Sequence, residues 1–87
     1  MQIGDLLFVR TCSACPEQYD VYDPNDHLVG YVRLRWGSLY CSYPDVDGEI
    51  IYEAAVGDGW TGCFQSEEQR HEHLRNIAEC ISNKLKF

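Results

Sequence analysis

The sequence predicts an α+β domain: an antiparallel sheet of about four to five strands packed by one carboxy-terminal helix. Three observations carry this. Short β-rich segments separated by turn residues fill the chain up to residue 64, a hairpin pattern spans Tyr31 to Tyr43, and helical periodicity begins only at Ser66. At 87 residues the chain holds a single domain, residues 1–87, β-rich over 3–64 and helical over 66–85.

Ile3 to Thr11 reads as the first strand, with Leu6 and Phe8 alternating against Leu7 and Val9 so that both faces carry apolar residues. Pro16 breaks the chain after Cys12-Ser-Ala-Cys15, because it removes a donor and biases Cys15 away from helix. Gln18 to Tyr22 is the second strand, and Asp23-Pro-Asn-Asp is a type I turn signal. Leu28 to Trp36 and Leu39 to Tyr43 form a hairpin around Gly37-Ser38, a Gly-X connection. This register sets Trp36 opposite Leu39, Leu34 opposite Cys41 and Val32 opposite Tyr43, giving one apolar face. The other face then pairs Arg35 with Tyr40 and Arg33 with Ser42, and carries Tyr31.

Pro44 to Gly48 is a turn, and Glu49 to Val56 returns with Ile50, Tyr52, Ala54 and Val56 expected on one face. Gly57-Asp-Gly-Trp-Thr-Gly62 is glycine-rich and open to positive φ angles. The helix opens on the capping box Ser66-Glu-Glu-Gln69, and its stripe is Leu74, Ile77, Ala78, Ile81 and Leu85. Lys84 and Lys86 sit at the end that favours cations.

A net charge of −7, from seven Lys and Arg against fourteen Asp and Glu, opposes broad binding to a phosphate backbone. It suits contact with the basic surface of another protein. No apolar run is long enough to cross a bilayer, and the amino terminus lacks a secretory pattern, so the expected location is cytoplasmic. In a reducing cytosol the five cysteines, Cys12, Cys15, Cys41, Cys63 and Cys80, are expected as thiols.

Cys12 and Cys15 have the spacing of half a zinc site, which Cys41, Cys63, His71 or His73 would have to complete. No second Cys-x-x-Cys exists, and no metal or other cofactor is expected. A dithiol redox role lacks the helix start that would lower a thiol pKa. His71 and His73 are two apart on the helix and do not chelate together, and His71 is the one expected to border the core. His27 sits in a turn with no evident partner. The glycine-rich segment lacks the Gly-Lys-Ser/Thr end of a phosphate loop, and Asp45, Asp47, Glu49 and Glu53 lack calcium-loop spacing. Nothing demands catalysis, so the expectation is a protein that is not an enzyme.

The candidate contact residues are Tyr31, Arg33, Arg35, Tyr40 and Trp60, since guanidinium forks beside aromatic rings bind carboxylates, phosphates and stacked groups. The alternative is that local carboxylates neutralise both arginines across the strands.

Five segments in order, Cys15 to Tyr22 (CPEQYDVY), Gly30 to Gly37 (GYVRLRWG), Tyr43 to Asp45 (YPD), Glu49 to Glu53 (EIIYE) and Gly57 to Phe64 (GDGWTGCF), resemble small uncharacterised proteins of bacteriophages and mobile elements, many from Gram-positive bacteria. The resemblance carries no activity or catalytic residue across, and implies a setting in which small acidic proteins bind host machinery. The expected function is a non-enzymatic accessory protein that binds and inhibits a host factor, plausibly of a defence system, through its acidic surface. One alternative is a binder of a phosphorylated nucleotide or other small anion on the Arg/Tyr face. The other is a zinc-stapled interaction module.

Overall fold

The structure, a computed structural model, describes residues 1–12, 15–57 and 62–85. It is α+β: one antiparallel sheet and one helix at the carboxy-terminal end. Six strands follow one another across the sheet in chain order, β1 (Gln2–Ile3), β2 (Leu6–Arg10), β3 (Gln18–Tyr22), β4 (Leu28–Arg35), β5 (Ser38–Tyr43) and β6 (Glu49–Ala55). The helix, α1, is Glu67–Leu85. The strand count exceeds the expected four to five because the first segment folds on itself, with Ile3 opposite Leu6 across a turn at Gly4-Asp5.

One face of the sheet makes the core. Phe8 of β2, Val21 of β3, Leu34 of β4 and Leu39 of β5 are almost fully buried with Leu74, Ile77 and Ile81 of α1. The helix approaches closely over Gly30, where an added Cβ would lie 2.8 Å from Ile81 Cδ1. Its amino end is capped as the sequence predicts, Gln69 N–H donating to Ser66 Oγ at 3.0 Å. The reciprocal bond reaches one residue further back, from Gln65 N–H to Gln69 Oε1.

The β4–β5 hairpin keeps its faces but moves its register by two residues. Leu34 pairs with Leu39, Val32 with Cys41, Arg33 with Tyr40 and Tyr31 with Ser42. The turn is Trp36-Gly37, both with positive φ (55° and 71°), the primed geometry that matches the right-handed twist of the strands. Trp36 therefore leaves the apolar face for the hairpin tip, where it is 60% exposed. A two-residue slip preserves alternation, which is why the pattern read both registers alike.

β6 departs from simple alternation as well. A bulge opposite Cys41 and Ser42 pairs Tyr52 with Cys41 but Ile50 with Ser42, so Ile51 packs on the core and Ile50 is exposed. No helix among the described residues is long and apolar enough to cross a membrane.

Candidate binding face

The face of the sheet turned away from α1 carries the arginines. Arg33 lies opposite Tyr40 on β5 and opposite Gln18 on β3, while Tyr31, two residues earlier on the same strand, lies opposite Ser42 and Asp20. The Tyr31 and Tyr40 rings are 6.2 Å apart at 57°. Burial pushes the Tyr31 hydroxyl above its ordinary pKa, with Tyr40 and Asp20 adding to the rise and Arg33 opposing it. Arg33 Nε is buried and has no hydrogen-bond partner. Arg35 ends β4, with its guanidinium carbon 5.7 Å from the centre of the Trp36 ring. Among the described residues neither arginine forms an ion pair, so the expected neutralisation by local carboxylates is absent. The structure thus gathers Tyr31, Arg33 and Tyr40 into one patch with Arg35 at its margin. Trp60 lies outside the described residues.

Beside Arg35 and Trp36 runs a cleft of about 320 Å³ lined also by Cys15, Pro16 and Gly62. Its wall corrects the expectation of free thiols there: Cys15 and Cys63 form a disulfide, their Cα atoms 5.4 Å apart and 48 residues apart in sequence. Gly62 lies against the start of β3, where Glu17 N–H donates to Gly62 O at 2.7 Å, and this brings the two cysteines together. The bond takes two sulfurs from the imagined zinc set, and among the described residues no group of three or more metal-ligating side chains converges. Cys41 is buried, and its thiol is pushed up to about 12 by burial and by Cys80 nearby.

Two side-chain clusters escaped the sequence. Glu17, only 1% exposed, accepts from Nη2 and Nε of the Arg70 guanidinium (2.7 and 3.0 Å), from Tyr19 Oη (2.9 Å) and from Phe64 N–H (3.2 Å). Arg10 stands 3.9 Å away. Burial alone would raise the Glu17 pKa, but these donors, Arg70 first, more than offset it and hold the carboxyl below its ordinary value. The same arrangement pushes Tyr19 up to about 12, burial leading, and raises Arg70, which also bonds Glu67. A sequence signal existed only in part: Arg70 stands three residues from Glu67, but Glu17 is 53 residues away.

The second cluster reassigns the histidines. His73, not His71, borders the core, with Nδ1 2.8 Å from Tyr52 Oη and its ring stacked on Phe64 at 5.8 Å. His71 is exposed, 4.0 Å from Glu67. His27 has a neighbour after all, since its Nδ1 is 3.7 Å from Asp23 Oδ2. Glu49, one of the four acidic residues that lack calcium-loop spacing, pairs with Lys84 of α1.

No family model matches the chain, and neither does any curated protein or solved structure.

Proposed function

We propose that this chain is a non-enzymatic binding protein that grips a partner protein with the open sheet face centred on Tyr31, Arg33 and Tyr40. The observation that carries the reading is Arg33, a cation beside two tyrosines on the face turned away from α1, without an ion pair among the described residues. Tyrosine and arginine are the side chains that most often dominate a contact, because they combine apolar area with directional donors. An extended strand surface presents them side by side over a breadth that suits a protein partner.

The net charge of −7 acts at longer range and favours partners with a basic surface. The resemblance to bacteriophage and mobile-element proteins supplies the setting: a protein working in the host cytoplasm that inhibits a host factor, a defence complex being the leading candidate. There Cys15 and Cys63 would spend part of their time as thiols. Affinity capture from a Gram-positive host lysate tests the reading, with the wild type retaining a protein that Arg33→Ala with Arg35→Ala loses. Equal capture by both forms would remove the face from the function.

A second reading is favoured by the lack of an ion pair at Arg33 and Arg35 among the described residues: capture of a phosphorylated nucleotide, whose oxygens would meet the terminal guanidinium nitrogens. Calorimetry against a nucleotide panel decides between them, and heat that survives the double arginine variant would sink the second reading.

A further inference from the structure

The two edges of the sheet are built differently. On one side the sheet ends in β1, a strand of two residues that offers almost no length for pairing. On the other it ends in β6, seven residues long, without proline or lysine, and with Glu49, Ile50, Glu53 and Ala55 exposed. The backbone of β6 can be oriented from its ladder. Val56 N–H donates to Gly37 O at 2.7 Å, so by alternation Ala54 and Tyr52 direct their polar groups at β5, while Ala55 and Glu53 direct theirs outward. Among the described residues no hydrogen bond between separate elements ends on those outward groups.

The charge beside this edge has one sign. From Trp36 to Gln69 the sequence contains no lysine or arginine, and it places Asp45 and Asp47 in the turn before β6 and Glu49 and Glu53 within it. Glu49 is matched by Lys84, whereas Glu53 has no ion pair among the described residues. Next to Glu53 lies a shallow depression of about 360 Å³ walled by Gly37, Ser38, Ala54 and Ala55, with room for a long aliphatic stem that ends at the carboxylate. Ile50 and Val46, 53% and 57% exposed, give an apolar footing at the other end.

We propose that β6 receives an extended basic segment of a partner protein as a seventh strand, with a lysine or arginine side chain laid over Ala55 against Glu53 and an apolar one on Ile50. This rests on the reading of the chain as a protein-binding domain, though not on the Arg33 face. Main-chain bonds to Glu53 and Ala55 supply affinity, and the alternating side chains supply selection. A second copy of the chain fits poorly, because pairing β6 with itself would bring two sets of carboxylates together with no added cation.

The probe is a fluorescein-labelled peptide alternating lysine and valine, with a glutamate-valine peptide as control, read by fluorescence anisotropy. The wild type is expected to bind the first and not the second. Ala55→Pro removes one outward N–H without touching the β5 ladder and is expected to weaken binding by about tenfold, the worth of a hydrogen bond or two. Glu53→Gln weakens it less, and Glu72→Gln, the same charge change at an exposed position of α1, leaves it unchanged. Hydrogen exchange on the wild type adds a readout independent of any variant: the Glu53 and Ala55 amides slow on adding peptide. Equal binding by Ala55→Pro, equal binding of the acidic peptide, or amides that do not slow would each overturn the proposal. So would a concentration-dependent dimer that Ala55→Pro dissolves, since the occupant is then a second copy. Lysate capture that still depends on Arg33 in the face of such a result would leave the reading of the sheet face standing.

Discussion

Arg70 and Arg33 both hold a guanidinium near tyrosines, and the fold treats them in opposite ways. Arg70 spans a buried carboxylate with two hydrogen bonds and reaches Glu67 as well, so its charge is matched at every edge. Arg33 stands on the open face with Nε buried and unpartnered, and it forms no ion pair among the described residues. Around Arg70 the polar groups lock the return of the 62–64 segment onto β3 and the first turn of α1. The Arg33 charge instead faces the Tyr31 hydroxyl, whose raised pKa it opposes. On the proposed reading, the contrast separates a cation that stabilises this protein from one available to a partner.

The sharpest way to break the contrast is Arg70→Ala. It leaves the buried Glu17 charge with Arg10, 3.9 Å away, as its remaining cation, and the expected loss is about 3 kcal/mol in urea unfolding. A loss as small as that of an exposed ion pair would show that Glu17 is solvated and the contrast empty. The disulfide closes a separation of 48 residues across the same region. Cys63→Ser, or reduction of the wild type, is expected to cost about 2–4 kcal/mol, measured by thermal or urea unfolding.

Acid provides an independent check on the Arg70 side. Because the folded Glu17 carboxyl titrates below its ordinary value of 4.5, its contribution is complete at higher pH and is lost as pH falls through the folded value. Stability should decline on that acid limb, and Glu17→Gln should flatten the decline while lowering stability at neutral pH. A smaller effect is expected of Tyr52→Phe, which removes the hydroxyl from His73 and should cost about 1 kcal/mol. Smallest of all, Arg33→Ala should shift stability by no more than about 0.5 kcal/mol, as a surface change outside the bonded network does.

The elements that depend on alternation and capping were legible in the sequence. Gln18–Tyr22 and the Ser66 cap stand where the residues put them, and the buried stripe of α1 is the one its spacing marks. The hairpin register was not, because a two-residue slip leaves every side chain on the same face and only the turn chemistry of Trp36-Gly37 distinguishes the two. The bulge that turns Ile50 outward is invisible for a similar reason, since two isoleucines in a row satisfy either face. In the candidate face, the clustering of Tyr31, Arg33 and Tyr40 followed from period two. The Glu17–Arg70 pair and the Cys15–Cys63 bond join residues about fifty positions apart, and no local pattern encodes such distances.

The most direct measurement is a paired one on Arg33→Ala with Arg35→Ala: melting temperature beside capture of the host protein that the wild type retains. The account predicts an unchanged melt together with lost capture. A lowered melt with capture intact would contradict it, because the arginines would then belong to the fold and the contact would lie elsewhere.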